Sequence, residues 1–276
     1  MGENFVRGII GDGLPTEVIL TAIGKQIGVN PSEIYVACRT DKRCVYLREH
    51  YNARAVVDAM EFLPDVKVLI LALTVDDDVD KVLGGLNAKI PGDALIISLT
   101  YGLRIKTVEK YFPAHPVIRV VVNPMIVTGS GACAYAVGSV NAADSENIAQ
   151  FFLQSFGKTI KTSSEVELEN VGDLIIANTI FSFVTANTFI ELGVKKGLGV
   201  DRAREIVAQV SGGVTETLMH SDAIIDHLIE EGRGQKKIFE RAKEILEKVG
   251  FIDDMKKRFE AAEVNEVVKF RYNYWR

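Results

Sequence analysis

The chain has 276 residues, 47% hydrophobic and 25% charged, with a formal net charge of −5. That length suffices for one large or two ordinary domains with real cores, and the acidic balance argues against a nucleic-acid or anionic-membrane surface. The N-terminal Met1-Gly2-Glu3-Asn4 lacks the basic and apolar regions of a secretory signal, and no stretch reads as the roughly 20 apolar residues of a membrane span. Cys38, Cys44 and Cys133 are odd in number and lack zinc-ligand spacing. Reduced thiols in a cytoplasmic protein, with no metal site, are therefore expected.

In chain order, the first element is a short apolar strand, Val6–Ile10, breaking into Gly11-Asp12-Gly13-Leu14-Pro15-Thr16 and then a helix over Thr16–Ile27. This is where a nucleotide-binding α/β domain places its phosphate loop. Gly11 permits the tight turn, Gly13 lets the backbone approach a pyrophosphate, and the helix N-terminus at Leu14 supplies N–H groups and a positive dipole end. The third glycine of G-x-G-x-x-G is replaced by Thr16. Asp12 is expected to point into solvent, because a carboxylate beside a pyrophosphate opposes binding.

Further strands are expected at Ile34–Ala37, Val68–Leu73, Ala94–Ser98 and Val117–Val122, apolar nearly throughout as parallel strands covered on both faces must be. Helical patterns at Lys42–Tyr51, Asp78–Asn87 and Lys106–Tyr111 alternate with them. Tyr135–Val137 and Thr159–Lys161 read as two more strands around a helix over Ser145–Phe156. A doubly wound Rossmann-like sheet over residues 1–162 follows. From Glu165 onward only helical periodicity remains, so residues 163–276 read as an all-helical domain. Its first helix, 165–192, is apolar around much of its circumference and favours packing against a second subunit. Further helices are expected at Asp201–Met219, Ala223–Glu231, Gln235–Val249 and Asp253–Phe259.

The second strand ends in Cys38-Arg39-Thr40, where a dinucleotide fold meets the adenosine ribose. A cation and a hydroxyl at Arg39 and Thr40 suit a 2′-phosphate, which favours NADP, with Arg43 one helical turn on available to join them. Asp41 leaves NAD open, since a carboxylate accepts from ribose hydroxyls. Ala72 and Leu73 close the Val68–Leu73 strand, and Thr100 and Asn123 follow the next two strands. All four face the carboxyl edge of the sheet, where nicotinamide and substrate would meet. Asn178 and Thr179 place an amide and a hydroxyl on a mostly apolar helix, where they would polarise a carbonyl or imine. The four histidines are scattered and read as surface residues, His220 and His227 being candidate proton donors.

Several of these segments also carry a family likeness. The order Gly8-Ile9-Ile10-Gly11-x-Gly13, Cys38-Arg39-Thr40, Ile97-Ser98-x-x-x-Gly102 and Ile118-Arg119-Val120-x-x-Asn123 resembles the pyrroline-5-carboxylate reductase family. So do Phe156-Gly157-Lys158, Glu191–Leu198 and Leu246–Phe251. The resemblance implies an NAD(P)H-dependent imine reductase with an N-terminal Rossmann domain and a C-terminal helical dimerisation domain that interlocks with a partner subunit. It departs at the positions that would hold substrate. The family's Gly-Ser-Gly-Pro-Ala falls at Ile176-Ala177-Asn178-Thr179-Ile180, and its Ser-Pro-Gly-Gly-Thr-Thr loop at Glu231-Gly232-Arg233-Gly234-Gln235-Lys236. The expected activity is reduction of a C=N or C=O bond in a small metabolite other than the family's own. Catalytic roles fall to Asn178, Thr179 and Asn123, and cofactor contacts to Gly11, Gly13, Leu14, Arg39, Thr40, Ala72, Leu73 and Thr100. The alternatives are a non-reducing nucleotide- or metabolite-binding protein and a transferase using another adenosine cofactor.

Overall fold

Residues Val6–Ile10 form β1, the strand from which the sheet grows in both directions. In the computed structural model, which describes residues 6–25, 30–74, 77–140, 144–220, 235–251, 253 and 257, β1 is followed by α1 (Leu14–Gly24), β2 (Ile34–Ala37), α2 (Asp41–Tyr51) and β3 (Arg54–Val56). The chain then crosses to the other side of β1 with β4 (Val66–Leu71), α3 (Val79–Gly84), β5 (Leu95–Ser98), α4 (Ile105–Tyr111) and β6 (Val117–Val122). Next come β7 (Gly131–Val137), α5 (Ser145–Leu153) and β8 (Gly157–Lys161). The eight strands lie in the order β3-β2-β1-β4-β5-β6-β7-β8. All neighbours are parallel except β6 and β7. The order reverses between β1 and β4, and a crevice outside the carboxyl ends of such strands is where open α/β sheets take ligands.

Side-chain alternation divides the core between the two faces. Ile9, Ile70, Ile97 and Ile118 pack with α1, α2 and α5 residues such as Ile23, Leu47 and Phe152. Ile10, Leu71, Ile96 and Val121 pack on the other face with Leu83, Ile105 and Val108. Burial on both faces explains why these strands are apolar nearly throughout.

The elements differ from the sequence expectation in instructive places. β3 was not expected: three residues give too little periodicity, and it forms because Asn52, left-handed at φ 54°, ends α2 and turns the chain back beside β2. β4 ends at Leu71 rather than Leu73. Ala72 still donates its N–H to the Ile10 carbonyl at 2.9 Å, but the Leu73 N–H turns to the Thr100 hydroxyl at 3.0 Å. Asp78 caps α3, accepting from the Lys81 N–H at 3.1 Å, and so stands outside the helix it was expected to begin.

The long helix α6 runs over Glu165–Lys195. Its first turns pack on the sheet, with Leu168 fully buried and Gly172 so close to β6 that a Cβ there would lie 3.0 Å from Val121 Cγ1. Arg119, only 4% exposed in β6, meets Glu165 at 2.6 Å and Glu169 at 3.2 Å, and Glu165 also accepts the N–H of Ile105 at 2.8 Å. The change of character near Thr162 thus marks where α6 is about to begin, while the chain divides into compact units, Met1–Ile175 and Ile176–Arg276, within that helix.

The second unit contains the rest of α6, α7 (Val200–His220) and a helix over Gln235–Lys248. Gly193 lets α6 and α7 approach, since a Cβ there would be 3.1 Å from that of Ala203. Phe183, Val184, Phe189, Val210 and Leu218 are all more than half exposed. By length and composition α6 is sufficient to cross a membrane, with 17% of its most apolar stretch buried, although Asn178, Thr179, Ser182 and Asn187 break its apolar run. The expected helices Ala223–Glu231 and Asp253–Phe259 lie largely outside the described residues.

Removing one partner of a buried ion pair leaves the other charge uncompensated. Glu165→Ala is expected to destabilise the chain by about 3 kcal/mol, since it strips the buried Arg119 of its shorter contact and orphans the Ile105 N–H. Glu169→Ala, at a more exposed partner, is expected to cost less. Urea denaturation of both variants checks the order.

Candidate functional site

The site is built where β1 ends. Gly11 has φ +119°, and a Cβ on it would sit 2.3 Å from the Ala72 carbonyl oxygen. Only glycine permits β1 to turn there while β4 lies alongside. Gly13 caps α1, and a Cβ at this position would stand 3.0 Å from Thr74 Cγ2. Its carbonyl accepts the N–H groups of Thr16 at 3.1 Å and Glu17 at 3.3 Å, which starts the helix. Pro15 lies in the first turn, where its missing N–H costs no intrahelical bond. Thr16, which takes the place of the third glycine, is fully buried and donates its hydroxyl to the Gly11 carbonyl at 2.7 Å. The departure from G-x-G-x-x-G therefore closes the turn with a side chain.

Asp12 corrects the sequence reading. It is 5% exposed rather than solvated. Its Oδ2 accepts the main-chain N–H of Arg39 at 2.9 Å, and its Oδ1 lies 3.1 Å from both Nε and a terminal nitrogen of the same guanidinium. One carboxylate thus meets Arg39 through main chain and side chain together. The other end of the arginine approaches Asp77 at 3.7 Å, and its side chain stays 66% exposed. Asp77 in turn accepts the N–H and hydroxyl of Thr74 at 2.7 and 2.9 Å.

Arg43 does not join Arg39 as a second outward cation. Its Nε donates to the Asp12 carbonyl at 2.6 Å, its terminal nitrogen pairs with Glu17, and its guanidinium lies 4.8 Å over the Tyr46 ring. Tyr51 donates to Glu17 at 2.7 Å. Burial and that carboxylate push the Tyr51 phenol well above its ordinary value, so it stays protonated as a donor. Thr40 caps α2, its hydroxyl oxygen accepting the Arg43 N–H at 3.3 Å.

Elsewhere along the carboxyl edge, Ala72 and Leu73 are buried where β4 leaves the sheet. Thr100, 6% exposed, donates to the Leu71 carbonyl at 3.2 Å and accepts from Leu73. It clasps the ends of β4 and β5. Asn123 follows β6 and accepts the Ala132 N–H at 3.3 Å. The structure therefore gathers Gly11, Gly13, Leu14, Arg39, Thr40, Ala72, Leu73, Thr100 and Asn123 at strand ends of one unit. Asn178, exposed, and Thr179, half-buried, belong to the other unit.

His115 is buried, not a surface residue; its Nε2 lies 3.0 Å from the Pro91 carbonyl. His227 and residues 231–234 of the expected substrate loop lie outside the described residues. The three cysteines are all buried, and burial with the neighbouring Cys44 thiol raises the Cys38 thiol far above its ordinary value. No group of three or more His, Cys, Asp or Glu poised for a metal occurs among the described residues. Sequence reasoning missed Asp12 and Asp77 as partners of Arg39. The one available signal was an acidic residue placed inside the glycine turn itself.

No protein-family model matches the chain. Pyrroline-5-carboxylate reductase 2 of Bacillus subtilis is 26% identical over 216 residues, covering 78% of this chain and 77% of that protein. A pyrroline-5-carboxylate reductase of Coxiella burnetii superposes with a TM-score of 0.80 at 20% identity, covering 97% of this chain and 98% of that one. The Plasmodium falciparum pyrroline carboxylate reductase, solved with NADP bound, gives 0.82 at 18% identity over 94% and 96% of the two chains. The chain resembles the pyrroline-5-carboxylate reductases in sequence and in fold. Both the Rossmann-like sheet and the helical C-terminal region expected from the sequence are thereby supported.

The turn gives a direct check on this geometry. Gly11→Ala forces an L side chain into a backbone region it rarely adopts and against the Ala72 carbonyl. A loss on the order of 3 kcal/mol in folding stability is expected, read by thermal or urea unfolding.

Proposed function

We propose that the chain is an NADP-dependent oxidoreductase that reduces a C=N or C=O bond of a small metabolite. The observation that carries this is the arrangement at the ends of β1 and β2. A glycine turn bars a Cβ at Gly11, and a largely exposed arginine is held beside it. The likeness to pyrroline-5-carboxylate reductases, one of them solved with NADP, supports the same reading. The residues fit the group: main chain at Gly13 and Leu14 would face the pyrophosphate, while Arg39 and the Thr40 hydroxyl would face the 2′-phosphate. Bound there, the cofactor supplies a hydride to the electrophilic carbon.

The protein's own contribution is placement. Thr100 and the buried Ala72 and Leu73 shape the wall near β4 and β5, and Asn123 lies at the end of β6. Asn178 and Thr179 would polarise the substrate, and the Gly232–Lys236 segment, basic where the family has hydroxyls, would hold an acidic group. Water or a hydroxyl would supply the proton to the nitrogen or oxygen. Because the residues at Ile176–Ile180 and Glu231–Lys236 depart from the family's pattern, the substrate differs from pyrroline-5-carboxylate. The same departures favour, as a second reading, a nucleotide-binding protein that no longer reduces. The exposed apolar side chains of α6 and α7 would be covered by those of a second copy, giving a cytoplasmic homodimer.

Turnover of NADPH over a panel of cyclic imines, imino acids and ketones tests the proposal; tight binding without turnover of any would establish the second reading instead. Arg39→Ala is expected to weaken NADPH by roughly tenfold or more while leaving NADH nearly unchanged, by loss of a charge-assisted contact. Equal loss of both would refute the 2′-phosphate assignment. Asn178→Ala is expected to lower turnover with NADPH affinity intact.

A further inference from the structure

Asp12 presents a puzzle if the cofactor carries a 2′-phosphate. It is an acidic side chain placed inside the turn that would receive phosphates, and it is almost wholly buried. Its contacts resolve the puzzle. Both oxygens are spent on one residue, Oδ2 on the Arg39 N–H at 2.9 Å and Oδ1 on the Arg39 guanidinium at 3.1 Å. Its carbonyl is meanwhile fixed by Arg43 at 2.6 Å, and Arg43 is anchored by Glu17. The Asp12 main chain is thus anchored separately from Arg39, and the guanidinium is held to a fixed part of the turn.

We propose that Asp12 is the positioning residue for cofactor selection, holding the Arg39 guanidinium in the place where it meets the 2′-phosphate of the dinucleotide. This rests on the NADP reading above. An exposed arginine has much rotamer freedom to lose on binding an anion; Asp12 and Asp77 take up that freedom beforehand. The contact at 3.1 Å balances the Asp12 charge against that of Arg39, and the guanidinium, still 66% exposed, keeps a face for the phosphate, so its placement is prepared before binding.

The test is equilibrium titration of NADPH and NADH into the full chain, for the wild type, Asp12→Ala, Asp12→Asn, Arg39→Ala and the Asp12→Ala/Arg39→Ala double variant, with thermal melts to verify folding. Asp12→Ala is expected to weaken NADPH about tenfold with NADH within about twofold. Asp12→Asn, which keeps an acceptor for the Arg39 N–H, should recover part of the loss. In the Arg39→Ala background, Asp12→Ala should have no further effect on NADPH, the signature of action through Arg39. Tighter NADPH binding by either Asp12 variant, equal losses for both dinucleotides, or additive losses in the double variant would overturn the proposal. A wild type with no preference for NADPH would overturn the NADP reading itself and this inference with it; a preference that survives at Asp12→Ala would overturn the inference alone.

Discussion

A buried carboxylate in a glycine turn has to be neutralised where it stands, and in this fold the neutralising group comes from the next strand. Asp12 and Arg39 meet between the ends of β1 and β2, so the two turns cannot be set independently. Arg43, reaching from α2 to the Asp12 carbonyl and to Glu17 on α1, ties the same turn to both helices. Thr16 closes it from inside. The loop that a glycine motif alone would leave pliant is cross-braced by side chains.

The rest of the carboxyl edge follows from the same logic of strand ends finding partners. Once β4 turns away at Ala72, the Leu73 N–H needs an acceptor, and Thr100 provides it while returning its own proton to Leu71. Asn123 does the corresponding work at the end of β6. These side chains give the main chain at the strand ends its hydrogen-bond partners. Arg39 stays 66% exposed and open to an anion from solvent.

The sheet was legible because strands covered on both faces are apolar nearly throughout, and β1, β2 and β6 fall at the bounds expected from the sequence. β3 escaped because three residues carry no readable period. The glycines at 11 and 13 were legible for a steric reason that operates locally. Asp12 was not, because its burial depends on a guanidinium 27 positions away, and no local pattern reports that. Arg43 joins Arg39 only through Asp12, whose carbonyl it holds, while Glu17 and Tyr46 take its charge. In the helical unit, periodicity located α6 and α7, where Phe183, Phe189 and Leu218 are more than half exposed.

On this proposal the turn at Gly11–Leu14 and the braced Arg39 form one dinucleotide site. A crystal structure of the chain with NADPH tests it most directly. The account predicts the pyrophosphate over Gly13 and Leu14 and the 2′-phosphate on Arg39, with the Asp12–Arg39 contacts still in place. A cofactor bound with its 2′-phosphate away from Arg39, or an arginine swung clear of Asp12 to reach it, would contradict the account.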